Sequence, residues 1–562
     1  MNHQSRRHFL GYFSSIGLSS TLMPGALWAK VHETQDPKIT PEMVEAASQV
    51  AGLDFNEEEL EMIVEGVNES LERIEEIRET HLDNSVPPPL YFNPVVPGGP
   101  ADRVQGSLVL SAQAAEARPS RLEDLAFWPV TQLAQLVETR QVTSSELTEM
   151  YLSRLERYNE TLNCVVTLTE RRAREQAAQA DTEIAEGRYR GPLHGIPWGA
   201  KDIISVAGYR TTWGAAPFEN QVFDYDATVV ERLDEAGAVL VAKLTTGELA
   251  FGDNWFGGRT NNPWDPQQGS SGSSAGSASA TAAGLVGFAV GTDTGGSILS
   301  PAVRCGVVGL RPTFGRVSRS GVMAAGYSLD KIGPMCRLAE DCAIVLHAIA
   351  GPDGKDLAVP RDQSFDWDAN LDIGTVRVGY FASAFDEENP RQSAEDRANA
   401  SEVLGTLRSM GLQLQAVEIP RNDLTYFIEF VERAAGFDEF ARTREDLGLR
   451  RQNHRGELRV SQLVPAVQYL QANRIRMLLM QEMAEALEGI DVFVAPWRSI
   501  NALTSMTGHP VVAIPNGFTE QGTPTGIAFL GQVYGEDKLL AVAKAYQDEA
   551  GFYRRRPPNL AG

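Results

Sequence analysis

The sequence is poor in histidine, cysteine and basic residues. None of its eight histidines stands in a triad-like motif, and no His/Asp/Glu cluster has metal-ligand spacing, so we predict no metal site. The four cysteines among 562 residues are too few and too irregularly spaced for a disulfide framework or a zinc knuckle. We therefore expect buried free thiols at positions 164, 305, 336 and 342.

The 50 Lys and Arg residues are outnumbered by 74 Asp and Glu residues, which leaves a net charge of −24. Because a chain of this charge repels a polyanion, we predict no nucleic-acid partner. No stretch reaches the roughly 20 solidly apolar residues of a membrane-spanning helix, so we predict no stable membrane insertion. The content of 43% apolar residues is typical of a globular protein with an ample core.

The N-terminus has the features of an export signal. Arg6 and Arg7 precede a weakly apolar stretch, residues 11–29, that is rich in Gly and Ser. Paired arginines before such a stretch resemble a bacterial twin-arginine signal, which delivers folded proteins across the inner membrane. We therefore expect residues 1–29 to be a signal peptide and the mature protein to be periplasmic or secreted. The alternative is a chance arginine pair on a frayed terminus.

Residues 36–83 carry fifteen acidic and three basic side chains, which is half of the net charge of the chain. Apolar residues recur at helical spacing between positions 60 and 77, which predicts one or two amphipathic helices with an acidic outer face. We expect the segment 30–86 to be a helical appendage that packs on the main domain, rather than an interaction arm. Prolines in the segment 87–120 indicate a surface linker, and the main domain is predicted at 121–562.

After this linker, helical and strand patterns alternate. Residues 133–158 are amphipathic and contain an N-cap signal at Thr143, which predicts two helices. Residues 229–236 are typical of a helix. Buried strands are predicted at 238–242, 376–380 and 491–496. This alternation predicts an α/β fold whose sheet has helices on both faces.

One region departs from ordinary composition. Residues 269–283 read GSSGSSAGSASATAA, and the motif TGGS follows at 294–297. A flexible linker is the ordinary interpretation of such a run, but flanking apolar segments that require burial argue against it. No phosphate-loop or dinucleotide motif is present. A serine nucleophile remains, because the glycines allow backbone N–H groups to face an oxyanion that develops beside Ser297.

Several motifs together resemble those of the amidase signature family. They are GIPWGAKD at 195–202, the Gly/Ser run, GTDTGGSILSPA at 291–302, CGVVGLRPT at 305–313 and LDKIGP at 329–334. The resemblance extends over residues 121–555. It implies a catalytic domain with a large mixed central β-sheet, and it implies no cofactor.

The resemblance also implies a Ser–cis-Ser–Lys triad, which would account for the absence of a catalytic histidine. Matched motif by motif, Lys201 would be the base, Ser273 the middle serine on a cis peptide bond, and Ser297 the nucleophile. The oxyanion hole would be formed by the backbone N–H groups of Thr294, Gly295, Gly296 and Ser297. Because the ordinary pKa of lysine is near 10.4, burial must lower the pKa of Lys201 by roughly 3 units before it can accept a proton.

The motifs define the substrate contacts less closely. Ser274, Trp198 and Trp255 are candidates for the substrate-binding wall, although tryptophan at such positions is equally typical of the core. Ala275 and Leu299 depart from the family pattern beside the two serines, and both bear on substrate shape.

We expect an amidase that cleaves the carbon–nitrogen bond of a small to medium amide through an acyl-enzyme. It would release a carboxylate and ammonia or an amine, and it would act as a monomer or homodimer. One alternative is the glutaminase component of a tRNA-dependent amidotransferase. The export signal argues against it, and so does the short stretch 496–507, which has no room for that component's longer loop. The other is a non-catalytic binding protein on the same fold, against which stands the retention of all three triad residues.

Overall fold

The computed structural model describes residues 39–80, 90, 105–112, 117–386, 393–420, 427–558 and 560. The predicted signal peptide and most of the predicted linker therefore lie outside the described residues. The described residues fall into two compact units, of which the first lies within the bounds 1–90 and 424–477 and the second within 91–423 and 478–562. The predicted domain boundaries at 29, 86 and 120 stay predictions.

The described part of the chain contains seventeen α-helices. In chain order they are α1 (Pro41–Val50), α2 (Glu57–Glu79), α3 (Val130–Glu138), α4 (Ser144–Leu162), α5 (Glu170–Ala185), α6 (Thr228–Glu235), α7 (Ala275–Ala282), α8 (Leu299–Cys305), α9 (Ala339–Ile349), α10 (Ala382–Asp386), α11 (Ala394–Ser409), α12 (Phe427–Gly436), α13 (Asp438–Arg442), α14 (Gln452–Gln462), α15 (Ala466–Ala486), α16 (Trp497–Thr507) and α17 (Glu536–Ala550). Thr143 caps α4, since its hydroxyl accepts the Glu146 N–H and the Glu146 carboxylate accepts the Thr143 N–H. The prediction of two helices in this segment is therefore confirmed.

The described β-strands are short. They are β1 (Leu108–Val109), β2 (Val165–Leu168), β3 (Pro197–Lys201), β4 (Val239–Leu244), β5 (Asn254–Trp255), β6 (Gly258–Arg259), β7 (Asn261–Asn262), β8 (Asp265–Gly269), β9 (Phe288–Asp293), β10 (Val308–Arg311), β11 (Lys331–Cys336), β12 (Trp367–Asp368), β13 (Val378–Phe381), β14 (Leu414–Val417), β15 (Val492–Ala495), β16 (Val511–Phe518) and β17 (Pro524–Gly531). Strands β4, β13 and β15 overlap the three segments predicted as buried strands.

Eleven of these strands form one mixed sheet in the second unit, in the order β14-β13-β15-β17-β16-β10-β11-β9-β3-β4-β2. Strand β3 pairs in parallel with β4 and β9, and β13 pairs in parallel with β14 and β15. The other neighbours in this sheet run antiparallel. The predicted α/β fold with a large mixed central sheet is confirmed.

The core of the second unit is built from side chains of this sheet and its helices. Trp198, Phe288, Val494 and Phe529, from four of the strands, have no exposed surface and belong to one apolar cluster. Full burial of each such side chain stabilises the fold by about 2 kcal/mol. All four cysteines are buried and free, as the sequence predicts.

The first unit contains the acidic helices α1 and α2. The apolar stripe of α2 includes Leu60 and Ile63, which cluster with Val460 of α14. Beside this cluster, the buried Glu59 carboxylate accepts a hydrogen bond of 2.6 Å from Arg459, whose guanidinium also pairs with Asp446. The predicted amphipathic helix is thus present, and it packs on helix α14, which is distant in sequence. In the part of the chain described, no helix combines the length and the apolar character needed to cross a membrane.

Candidate active site

Two adjacent parallel strands bring the predicted base and the predicted nucleophile loop to the same edge of the sheet. Strand β3 ends at Lys201, and its neighbour β9 ends at Asp293, with Ala200 opposite Val290. The carboxyl ends of parallel strands lie at one edge of a sheet, where an α/β fold commonly forms its sites. The TGGS loop that follows β9 therefore begins close to Lys201.

The Lys201 amine lies within hydrogen-bond distance of the predicted middle serine. Its Nζ is 2.8 Å from Ser273 Oγ and 2.7 Å from Thr292 Oγ1. Lys201 has no exposed surface, and Ser273 is 1% exposed. The Gly272–Ser273 peptide bond is cis, as the family resemblance implies. These contacts bring two members of the predicted triad together in a dry environment.

Burial lowers the pKa of Lys201 to about 7, although the carboxylates of Asp293 and Asp330 raise it in part. An ammonium group that loses water without gaining an ion-pair partner favours its neutral form. Near neutral pH, a large fraction of the amine can therefore accept a proton. This is the physical condition that a lysine base must meet.

Ser274 links the middle serine to the predicted nucleophile. Its N–H donates to the carbonyl oxygen of Ser297 at 3.0 Å. Its hydroxyl donates to the Thr292 carbonyl at 3.0 Å and accepts the Thr292 N–H at 3.1 Å. The prediction that Ser274 contacts substrate is corrected, because this hydroxyl is buried and is used by the backbone of β9. Ser274 instead holds residues 273 and 297 next to each other.

The Asp293 carboxylate shapes the TGGS loop from inside. It accepts the N–H groups of Gly296 and Ile298, each at 2.7 Å, and pairs with the guanidinium of Arg311 at 3.1 Å. Burial alone would raise the pKa of Asp293, but Arg311, Lys331 and the two N–H groups hold it below its ordinary value. The prediction that the Gly296 N–H serves the oxyanion hole is therefore wrong, because Asp293 already accepts it.

The other predicted oxyanion donors stay predictions. The N–H groups of Gly295 and Ser297 donate to no acceptor in the described part of the chain. The Thr294 side chain donates to the Asp330 carboxylate at 2.6 Å, which fixes the start of the loop. Two free N–H groups beside the predicted nucleophile are sufficient to hold a developing oxyanion.

Helix α16 supports the loop from its outer side, which the sequence motifs do not predict. Asn501 donates to the carbonyl of Gly295, and Ser505 donates to the carbonyl of Thr294, both at 2.8 Å. Gly296 has a φ of +115°, and a Cβ there would lie 2.6 Å from Asn501 Nδ2, so only glycine fits. Asp293 and Arg311 lie inside the family motifs and could have been found there, whereas no motif marks Asn501.

The two predicted tryptophans lie in different environments. Trp198 is fully buried, and its ring stacks on Phe288 with centroids 6.0 Å apart. Residues 198 and 201 are an odd number apart on β3, so their side chains lie on opposite faces of the sheet. The substrate-contact prediction for Trp198 is therefore corrected to a core role. Trp255 is 8% exposed and packs edge-on to Phe256, and its predicted substrate contact stays a prediction.

A cavity of about 230 Å³ adjoins the relay, with Thr292, Thr294 and Asp330 in its wall. Among the charged groups of its wall, Arg319 and Asp356 form an ion pair of 2.7 Å, and the Asp330 carboxylate accepts the hydrogen bond from Thr294. Such a chamber suits a small, neutral, polar group. Within the described residues, no group of three or more His, Cys, Asp or Glu side chains could hold a metal ion.

Comparison with known proteins identifies the family. The amidase family model matches residues 146–505. The chain is 34% identical over 480 residues to the A subunit of the glutamyl-tRNA(Gln) amidotransferase of Coxiella burnetii (76% of this chain, 98% of the relative). It is 35% identical over 485 residues to the protein of the same name in Methylococcus capsulatus (77% and 99%).

Among solved structures, the native peptide amidase of Stenotrophomonas maltophilia superposes with a TM-score of 0.70 at 30% identity. That alignment covers 78% of this chain and 100% of the peptide amidase. The sequence match, the shared fold and the motif-bearing strands agree with one another. The chain therefore belongs to the amidase signature family and is a hydrolase that acts on carbon–nitrogen bonds.

Proposed function

We propose that this protein hydrolyses a small to medium amide through an acyl-enzyme on Ser297. The observation that carries the proposal is the 2.8 Å contact between a buried lysine whose pKa is lowered to about 7 and Ser273. Ser273 is adjacent in sequence to Ser274, whose N–H bonds the carbonyl of Ser297. A base, a relay hydroxyl and a second serine are the groups that amide hydrolysis without histidine requires.

In the first half of the reaction, Ser297 Oγ attacks the amide carbon. The Ser297 proton passes to Ser273 Oγ, and the Ser273 proton passes to Lys201 Nζ. The N–H groups of Gly295 and Ser297 stabilise the oxyanion that forms, and each such donor contributes about 3 kcal/mol. When the carbon–nitrogen bond breaks, Lys201 returns a proton through Ser273 to the leaving nitrogen.

In the second half, water attacks the Ser297 ester. The same relay takes a proton from this water, the ester bond breaks, and Ser297 regains its proton from Ser273. The products are a carboxylic acid, which ionises, and ammonia or an amine. The polar cavity beside Thr292 supports this scheme, because it offers a small chamber next to the relay.

The cell compartment is part of the proposal. Arg6, Arg7 and the weakly apolar stretch up to Ala29 favour twin-arginine export, so we place the mature enzyme in the periplasm or outside the cell. A fusion of residues 1–29 to a reporter that needs to be folded before export tests this. Export that is lost when both arginines are changed to lysine supports the proposal, and equal export contradicts it.

A second candidate, glutamine hydrolysis, is favoured by the identity of about one third to amidotransferase A subunits. Helix α16 contains no Asp or Glu, so this segment offers no carboxylate for the α-ammonium group of glutamine. The predicted export signal is also at odds with tRNA charging. We therefore place glutamine second, as a separate arm of the substrate screen.

The screen uses purified protein with aliphatic amides, amino-acid amides, C-terminally amidated peptides, anilides, carbamates and free glutamine. Ser297→Ala and Lys201→Ala should each lower turnover at least about 10⁴-fold. Ser277→Ala is the matched control, since Ser277 lies in the same Gly/Ser run but its hydroxyl donates only to the Val290 carbonyl. Turnover that survives Ser297→Ala would show that this nucleophile assignment is wrong, and turnover of glutamine alone would favour the second candidate.

Labelling by a fluorophosphonate probe separates an enzyme from a non-catalytic protein on this fold. The wild-type protein and Ser277→Ala should be labelled, whereas Ser297→Ala should not. The absence of labelling in the wild-type protein, together with an inactive screen, would favour the non-catalytic alternative.

A further inference from the structure

We infer that the second unit carries a binding site for a small aromatic organic anion, at a pocket separate from the amide-hydrolysing site. The pocket has a volume of about 260 Å³. Its wall contains four arginines and no acidic residue, which is unusual in a chain with a net charge of −24. The arginines are Arg337, Arg554, Arg555 and Arg556.

The pocket lies at the far ends of two helices whose near ends adjoin the catalytic serines. Helix α7 begins two residues after Ser273 and ends at Ala282, which lines the pocket. Helix α8 begins two residues after Ser297 and ends at Cys305, which also lines it. Because eight helical residues span about 12 Å, the pocket and the relay are distinct places.

Three of the four arginines are exposed and are held by aromatic rings rather than by carboxylates. Arg555 lies over Phe518 with 3.8 Å between its guanidinium carbon and the ring centroid, and Arg556 lies over Phe127 at 4.9 Å. Arg554 lies over the neighbouring Tyr553 at 5.3 Å. None of the three forms an ion pair with any residue that the structure describes. Stacking orders a guanidinium and leaves its N–H groups free for an oxyanion.

The fourth arginine of the wall is almost fully buried. Arg337 is 9% exposed, and its two terminal nitrogens donate to five backbone carbonyls, among them those of Gly287 and Val286 at 2.9 and 2.8 Å. Its Nε has no partner in the described part of the chain. These five partners are neutral carbonyls, and no described carboxylate lies at hydrogen-bond distance from Arg337. The positive charge of Arg337 would therefore attract an anion in the pocket.

The remaining wall is aromatic. Trp264 donates its indole N–H to the Cys305 carbonyl at 2.8 Å, which holds its ring in place, and that ring packs on Phe518 with centroids 5.0 Å apart. Phe127 and Trp128 also line the pocket. A flat ring bearing a carboxylate or a phosphate matches this combination of aromatic faces and guanidinium groups. The volume admits one such molecule and excludes a folded polymer chain.

The test is isothermal titration calorimetry of the purified full-length protein at low ionic strength. The probes are benzoate, phenyl phosphate, inorganic phosphate and cyclohexanecarboxylate. We expect benzoate or phenyl phosphate to bind with a Kd below about 1 mM. Benzoate should bind about fivefold more tightly than cyclohexanecarboxylate, or phenyl phosphate about fivefold more tightly than inorganic phosphate. The tighter of the two aromatic probes identifies carboxylate or phosphate as the preferred oxyanion.

The Arg554→Gln/Arg556→Gln double variant should weaken this binding at least about tenfold. Both side chains are exposed and lack ion pairs to any described residue, so the fold should be retained, which thermal unfolding checks. The matched control is Arg171→Gln/Arg188→Gln, which removes the same charge from exposed positions elsewhere on this unit. The readout is binding, so its outcome does not depend on the proposed amidase activity.

Three results would overturn the inference. The first is the absence of binding for all four probes. The second is an equal loss of affinity in the control variant, because the effect would then come from the net charge alone. The third is equal affinity for benzoate and cyclohexanecarboxylate, and for phenyl phosphate and inorganic phosphate, because the aromatic wall would then contribute nothing.

Discussion

Lys201 Nζ and Ser273 Oγ lie 2.8 Å apart, although 72 residues separate them in the chain. The contact exists because β3 delivers the lysine to the edge of the sheet where β9 also ends, and because α7 starts directly beyond Ser273. The lysine has no exposed surface, so the hydroxyl is one of few polar groups that can receive or return its proton.

The first prediction concerns the pH dependence of activity. In the proposed mechanism the neutral amine of Lys201 is the base, and burial lowers its pKa to about 7. Below that pH the amine is protonated, so kcat/KM should fall about tenfold per unit and reach about one hundredth of its plateau at pH 5. A pH–rate profile with any amide that the screen identifies measures this. Ser277→Ala should give the same profile, and a flat profile between pH 5 and 8 would contradict the assignment of the base.

The second prediction compares two fully buried lysines. Lys243 forms an ion pair of 2.7 Å with Asp202, whereas Lys201 has no carboxylate at ion-pair distance among the described residues. Lys201→Met should therefore abolish activity yet raise the free energy of unfolding at pH 7 by a few kcal/mol. Lys243→Met should lower the free energy of unfolding by about 3–5 kcal/mol, because this variant leaves the buried Asp202 carboxylate without its partner.

The sign of the pH effect follows from the two pKa values of Lys201. In the unfolded chain its pKa is near 10.5, and in the folded protein it is about 7. Between these values the unfolded chain binds one more proton, so stability rises with pH from about 7 to about 10.5. Urea unfolding at pH 7 and pH 10 should show this slope in the wild-type protein and a smaller slope in Lys201→Met. Identical slopes would contradict the lowered pKa.

The third prediction concerns Asn501, which holds the nucleophile loop without touching the relay. Asn501→Ala removes the 2.8 Å hydrogen bond to the Gly295 carbonyl and one partner of Arg311. The loop that carries the Gly295 and Ser297 N–H groups should then be held less firmly, so kcat should fall about tenfold with little change in KM.

The control for this variant is Asn370→Ala, which removes an exposed asparagine of the same unit that bonds only to Asp368. Steady-state kinetics on both variants measure the separate effects on kcat and KM. A raised KM with unchanged kcat would mean that Asn501 contacts substrate, and it would contradict the positioning role.

Much of the fold could be predicted from local signals. The Thr143 capping box separates α3 from α4, and the Gly237 that follows α6 has a φ of +78°, which favours glycine and allows the turn into β4. These features depend on residues close together in the chain. The contact between Lys201 and Ser273 agrees with the resemblance for a different reason, since both residues lie inside motifs whose combination is specific.

What could not be predicted depends on residues that are distant in sequence. Asn501 lies 206 residues from Gly295, and no motif marks it. The hydrogen bond from the Gly296 N–H to the Asp293 carboxylate depends on the backbone conformation of the loop, which the TGGS motif alone does not determine. The sequence predicts no strand at residues 197–201, so the alternation that assigns Trp198 and Lys201 to opposite faces of β3 follows only from the structure.

The fourth prediction concerns the first unit, where Glu59 of α2 is buried against two arginines. Burial alone would raise the pKa of Glu59, but the Asn56 N–H and the guanidinium groups of Arg444 and Arg459 hold it below its ordinary value. The stabilisation from Glu59 is therefore present above about pH 4.5 and is lost as the pH falls through the lower folded-state pKa. Among the described carboxylates, Glu59→Ala leaves the buried Arg459 only Asp446, and it removes half of the capping box of α2.

Hydrogen exchange of the α2 amides at pH 7, corrected for intrinsic rates, measures the effect of Glu59→Ala. Protection should fall by about 2–4 kcal/mol, because the variant loses a charge-assisted contact and a cap. Glu58→Ala is the matched control, since it removes the same charge from the first turn of α2 at an exposed position. Equal loss of protection in both variants would mean that helix charge, and not the buried pair with Arg459, stabilises this segment.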